Sequence, residues 1–130
     1  MEQRRIEFVK NKKCYDCGLD TSNKRCITCY LKIISSNIFR TEKRYKELQE
    51  LFDKQNGLCN YTGRQLILQE NCELDHIMPK AKGGSNSMDN LQWLHRDINK
   101  MKHDLTEDIF FASIKEISNH TLLESRIQTV

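Results

Sequence analysis

The chain has one proline, Pro79, and only five glycines in 130 residues. It shows no internal repeat and no low-complexity segment. No apolar run approaches the roughly 18 to 20 residues that a membrane-spanning helix needs. The first residues, Met1-Glu2-Gln3-Arg4-Arg5, lead into no apolar stretch. That argues against a secretory signal and for an intracellular, cytoplasmic setting that keeps thiols reduced. Apolar residues are not scarce, at 38% against 30% charged, so disorder is not the default. The length allows one domain, or one domain with a small appended module, but not two full cores.

Charge is present but unevenly placed. Residues 1–46 hold 12 Lys/Arg against 5 Asp/Glu, a local balance of +7. Residues 47–130 hold 9 Lys/Arg against 13 Asp/Glu, a balance of −4. A basic N-terminal arm is a plausible contact for a phosphate backbone, the bland alternative being a solvated face.

Four of the six cysteines form a pattern. Cys14-Tyr-Asp-Cys17 is followed eight residues later by Cys26-Ile-Thr-Cys29. Two residues between cysteines let both sulfurs of a tight turn reach one ion. Two such turns supply the four thiolates of a tetrahedral structural zinc site, with no position left open for catalysis. About 30 residues cannot bury a core, so metal would stand in for one. In a reducing compartment this outweighs two disulfides. Cys59 and Cys72 have no such partner. Thr62 stands where a second knuckle would need a cysteine, so both read as buried free thiols.

Three sections follow from the pattern: a basic arm and cysteine module at 1–29, a helical connector at 30–56, and a domain at 57–130. In the connector, Tyr30, Leu31, Ile34 and Ile38 share a helical face. Thr41 caps a second helix that buries Tyr45, Leu48, Leu51 and Phe52 and stops at Gly57. Beyond it, Gly63 marks a turn. Residues 66–68, 72–78 and 91–95 read as strands, residues 80–87 as a loop, and residues 96–102 as the start of a helix. Thr106-Glu107-Asp108 opens a last helix with Ile109, Phe110, Ile114 and Ile117 on its apolar face, and the tail after His120 is expected to fray.

The stretch from Glu73 to Asp104 carries the chemistry. Asp75-His76 places a carboxylate beside an imidazole at a strand end. Hydrolysing a phosphodiester needs a base to deprotonate water and a cation to neutralise the phosphoryl and leaving oxygens. Neighbouring residues on a strand point in opposite directions, so Asp75 and His76 can flank one phosphate. An amide oxygen from a following helix can complete a site of hard oxygen ligands, the kind Mg²⁺ prefers.

This stretch resembles the HNH nuclease family, whose catalytic unit is a ββα-metal motif. The resemblance covers about residues 57–105. It rests on the Asp75-His76 pair, Pro79 with the Gly83-Gly84 loop, Asn90-Leu91 entering the second strand, and Asn99 with Lys102 on the helix. In order and spacing the His76, Asn90, Asn99 variant is similar to the HNH domain of RNA-guided effectors, and to small phage and mobile-element proteins that carry a cysteine knuckle. The resemblance implies His76 as general base, Asp75 and Asn99 as ligands of one divalent metal, and Asn90 as a catalytic brace that holds the loop and orients His76. Lys102 would lie near phosphate, with Lys80, Lys82 and Lys100 as further nucleic-acid contacts. Two departures stand out: Thr62 breaks a second knuckle, and Asn99 occupies a position where many members have His. His95 and His103 lie nearby, so the ligand set stays open. An Asn99 site leans to Mg²⁺ or Mn²⁺, and one recruiting His103 would tolerate Ni²⁺ or Zn²⁺ better.

The fold expected is α+β: a four-cysteine zinc module and helices, then a ββα-metal core covered by a C-terminal helix. The function expected is metal-dependent endonucleolytic cleavage of DNA, first of all double-stranded, by a monomer or homodimer. The alternative is a non-catalytic, zinc-containing DNA-binding module. A protein-interaction adaptor would leave Asp75-His76 unexplained.

Overall fold

Two helices and a tight turn lead into a small sheet, which two further helices follow. The computed structural model describes residues 13–21 and 23–123, and the basic arm at 1–12 and the tail at 124–130 lie outside them. The order is α1 (Ile27–Phe39), a 3-10 turn at Glu42–Arg44, α2 (Tyr45–Lys54), β1 (Cys72–His76), β2 (Leu91–His95), α3 (Arg96–Lys102) and α4 (Glu107–Leu123). The architecture is α+β, with a ββα core and an N-terminal cysteine cluster. No helix among the described residues is long and apolar enough to cross a membrane.

The helical stripes read from the sequence face the core. Leu31 of α1 and Leu48 of α2 are buried, and Tyr30, Ile34, Tyr45, Leu51 and Phe52 pack around them. Thr41 caps the turn before α2, its Oγ1 accepting from Lys43 N at 3.2 Å. Gly57 ends the α2 segment at φ +66, its N–H reaching back to Phe52 O at 3.1 Å. That left-handed conformation favours glycine, which has no Cβ to strain against the backbone.

β1 and β2 pair antiparallel, with Leu74 opposite Trp93, Asp75 opposite Gln92 and His76 opposite Leu91. Trp93 is fully buried, edge-on to Phe52 at 6.1 Å, and its indole donates to Leu48 O at 3.1 Å. Gln55 locks α2 to the outer edge of β2. Its Oε1 accepts from Trp93 N at 2.8 Å and its Nε2 donates to Trp93 O at 2.9 Å. An edge strand whose backbone groups are taken by a side chain offers little to another strand.

Two expectations change. Residues 66–68 do not form a strand. Leu66 and Leu68 drop into the core and Ile67 is exposed, but the nearest pairing is an isolated bridge just before them, Leu58 with Gln65. Alternating burial there reflects two plugs on a turn-rich loop. The last helix forms, but of its predicted apolar face only Phe110 is buried, against Tyr61, while Ile109, Ile114 and Ile117 are exposed. The helix leaves the core after its first turns instead of covering it.

The turn at Cys59 repeats the geometry of the turn at Cys14. Cys14 N donates to Leu19 O and Gly18 N to Cys14 O; Cys59 N donates to Arg64 O and Gly63 N to Cys59 O. Gly18 and Gly63 both sit at positive φ. The second turn thus keeps a knuckle's backbone with Thr62 in place of its second cysteine. Burial pushes the Cys59 thiol up, but hydrogen bonds from Thr62 and nearby backbone outweigh this and hold it below the usual range.

Candidate functional site

His76 is the last residue of β1, half-buried, and its ring is held from one side. Nε2 lies 2.9 Å from Asn86 Oδ1, and Asn86 Nδ2 donates to Ile38 O at 3.1 Å. A backbone carbonyl only accepts, so the amide edge facing Ile38 is the NH₂ and the edge facing His76 is the oxygen. That oxygen also only accepts. Nε2 therefore carries the hydrogen, and the neutral ring keeps its lone pair on Nδ1.

The loop beyond His76 is stapled by Asn90. Its Oδ1 accepts from Met78 N at 2.8 Å, and its Nδ2 donates to Met78 O at 3.0 Å and to Ser85 O at 2.9 Å. The staple works only because Gly84 has no side chain. A Cβ there would fall 1.7 Å from Met78 O. Asn90 thus staples the loop, and the side chain that touches the His76 ring is Asn86.

Asp75 points the other way, into a buried polar chain. Its Oδ2 lies 3.1 Å from Lys102 Nζ and accepts from Gln92 Nε2 at 3.0 Å. Gln92 is cross-strand to Asp75, so the register itself makes this bond. Gln92 also donates to the Tyr61 hydroxyl at 2.8 Å and accepts from Asn60 Nδ2 at 2.8 Å. The Tyr61 hydroxyl in turn donates to Glu107 Oε2 at 2.8 Å. Burial first, and then the Glu107 carboxylate, raise the Tyr61 phenol well above its ordinary range, so it remains a donor. Each buried polar group in this chain has a partner, which burial at this depth demands.

Lys102 is fully buried. Its ammonium bonds Asp75 and also donates to His76 O at 3.1 Å. Read from the sequence as a phosphate contact, it lies inside the molecule, tying α3 to both residues of the Asp75-His76 pair. Asn99, one turn earlier on α3, donates from Nδ2 to Glu73 Oε1 at 3.0 Å. Glu73 and Asp75, two apart on β1, share a strand face, so the structure brings three oxygen-bearing side chains to the side where α3 packs. Asn99 contacts Glu73 here, not Asp75. Lys80, Lys82 and Lys100 are exposed. His95 caps α3, its Nδ1 accepting from Asp97 N at 3.1 Å, and His103 is exposed.

Asn86, Gln92, Glu73 and Tyr61 belong to this site without having been singled out by sequence. Gln92 and Glu73 could have been found by pairing the two strands in register. Asn86 sits in a loop whose polar residues look alike.

The four N-terminal cysteines form a second centre. Their sulfurs all lie within 4.8 Å of one another, and Cys17 Sγ is 3.7 Å from Cys26 Sγ. Zinc–sulfur bonds of about 2.3 Å make a tetrahedron with edges of about 3.8 Å, so the set fits zinc. All six cysteines of the chain are free thiols. The two halves differ in how they are held. A bridge pairs Lys13 with Asp20 across the first turn, while Cys26 is the N-cap of α1, its sulfur accepting from Cys29 N. Burial pushes Cys14 up, yet backbone donors at Cys26, Cys17 and Asp16 outweigh it and bring the thiol to about 6. Burial and the neighbouring sulfurs push Cys29 far above its usual range. Cys14 thus ionises readily while Cys17 and Cys29 resist it, and a shared cation would favour the thiolate form of all four.

Residues 59–107 match the family model described as HNH endonuclease. The matched segment runs from the Cys59 turn through β1, the stapled loop, β2 and α3 to the start of α4. No curated protein matches the chain, and no solved structure matches it.

Proposed function

Because residues 59–107 match the HNH endonuclease family, we propose that the chain is a metal-dependent endonuclease that hydrolyses DNA phosphodiester bonds with His76 as general base. The observation that carries this reading is the held ring of His76. Asn86 occupies Nε2, so the basic nitrogen Nδ1 is left to take a proton from water. A base fixed in one tautomer on a strand end needs no rearrangement before the proton moves. Asn90 keeps the loop closed beneath it.

Asp75 and Asn99 supply the metal side. Lys102 and Gln92 both contact Asp75 Oδ2, so Oδ1 is the oxygen it offers. Glu73 engages the Asn99 amide nitrogen, so Oδ1 is the atom Asn99 offers a metal. Carboxylate and amide oxygens fit a hard ion, Mg²⁺ or Mn²⁺. Such an ion supplies neutralisation of the charge on the leaving 3′ oxygen. Lys80, Lys82 and Lys100 contact phosphates, and one base makes one cut per visit. The Cys14, Cys17, Cys26 and Cys29 centre holds zinc as a structural element.

End-labelled duplex DNA incubated with Mg²⁺ or Mn²⁺ tests this. Products with 5′ phosphates and 3′ hydroxyls, absent in EDTA and reduced by at least about a hundredfold by His76→Ala, are expected. A second reading has its own support. Lys102 already compensates Asp75 without metal, as a binding module would require. That reading predicts DNA retention with no product under any metal.

A further inference from the structure

Where the matched segment meets the helices before it, a cleft of about 580 Å³ opens between the C-terminal end of α1 and the loop at residues 80–87, lined by Asn37, Arg40, Arg44, Lys80, Asn86 and Ser87 among others. We infer that this cleft carries the phosphate backbone of the bound nucleic acid away from His76, gripping it with Arg40, Arg44 and Lys80. The inference rests on the nuclease reading and adds a wall that the family segment does not contain, since Arg40 and Arg44 precede residue 59.

Three observations point there. The cleft and the catalytic ring share one residue: Asn86 lines the cleft and bonds His76 Nε2. A strand lying across His76 continues into the cleft past that amide. The lining holds three cationic side chains and no acidic one. Glu47 stands behind Arg44, bonding it at 2.7 and 3.1 Å, while the guanidinium stacks 4.1 Å from the Phe39 ring. Arg44 is thus a partly balanced, fixed fork, and Arg40 and Lys80 supply the unbalanced charge.

The third observation is the backbone. Arg40 caps α1 in the left-handed conformation, φ 61 and ψ 23. That position favours glycine, and an arginine there stands against local preference. The bend that follows is firmly made. Ser35 is buried, and its Oγ donates to Thr41 O and accepts from Arg44 N at 3.2 Å. The bend therefore presents Arg40 and Arg44 from a rigid base at the cleft wall.

The position offers a clean test. Arg40→Gly removes the charge at a site where glycine suits the backbone, so loss of binding cannot be laid to a broken fold. Anisotropy titrations of labelled duplex DNA in EDTA, across a KCl series, would compare wild type, Arg40→Gly, Lys80→Gln, their combination, and Lys115→Gln on α4 as a charge control. Each cleft variant should lower the slope of log affinity against log salt by about 0.9, and the pair by about twice that. At about 0.1 M salt each should bind roughly tenfold more weakly. Lys115→Gln should match wild type. Cleft variants that keep the wild-type slope, or change no more than Lys115→Gln, overturn the cleft while leaving the nuclease reading standing. A wild type that binds no DNA overturns both.

Discussion

Asn86 holds His76 through one oxygen and is itself held through one nitrogen, so its replacement separates orientation from binding. Asn86→Ala should lower kcat by about ten- to a hundredfold with DNA affinity unchanged, because the ring loses its fixed tautomer. Asn86→Asp should move the acid limb of the pH–rate profile to higher pH. A carboxylate beside the ring favours imidazolium, and the base works only when neutral, so activity must wait for a higher pH. A structural role alone would leave that limb where it is. Lys102 gives a second test. Lys102→Met leaves the Asp75 carboxylate buried without its cation, which should cost about 3 to 5 kcal/mol in urea melts run in EDTA. Mg²⁺ should restore part of that loss if Asp75 is a metal ligand. At this scale the pattern of Asp75, His76, Asn90 and Asn99 was legible because one short stretch carries it. Asn86 was not, because its anchor, Ile38, lies 48 residues away and only folding joins them.

The elements divide by what their sequence signals measure. Helical periodicity found α1 and α2 because each buries a stripe in the shared core. The same periodicity misled for α4, whose apolar positions Ile109, Ile114 and Ile117 stay exposed. Pattern reports that a face is apolar, and not what lies opposite it. Residues 66–68 failed as a strand for a related reason: two buried leucines on a turn give the alternation that a strand would. The cysteine pairs were legible from their two-residue spacing, and the structure adds a left-handed glycine, Gly18, after the first pair, while the second pair runs straight into α1. Zinc binding by the four cysteines is testable by itself. Purified protein should release one zinc per chain on thiol modification, and Cys26→Ser should release none. Cys26 also caps α1, so that variant should lose helical circular dichroism as well as zinc. Loss of zinc with the melting temperature unchanged would show that the centre does not support the fold.

Across the whole molecule, two supports meet at one strand end. The core module supplies His76, Asp75 and Asn99, and the segment before it supplies the Ile38 carbonyl that fixes Asn86 and the arginines beside it. The basic N-terminal arm lies outside the described residues, and the arginines that line the cleft, Arg40 and Arg44, belong to the helical connector. On the proposed reading there is one base and one carboxylate, so a monomer should nick before it linearises. The sharpest test of a nuclease centred on His76 is a supercoiled-plasmid assay with Mg²⁺, Mn²⁺, Ni²⁺ or EDTA, on wild type and His76→Ala. Metal-dependent conversion to open circle is expected, with linear DNA appearing later, and no conversion by His76→Ala. Equal nicking by wild type and His76→Ala, or no nicking with any metal by a protein that retards the same plasmid, would refute a His76-based cutting centre.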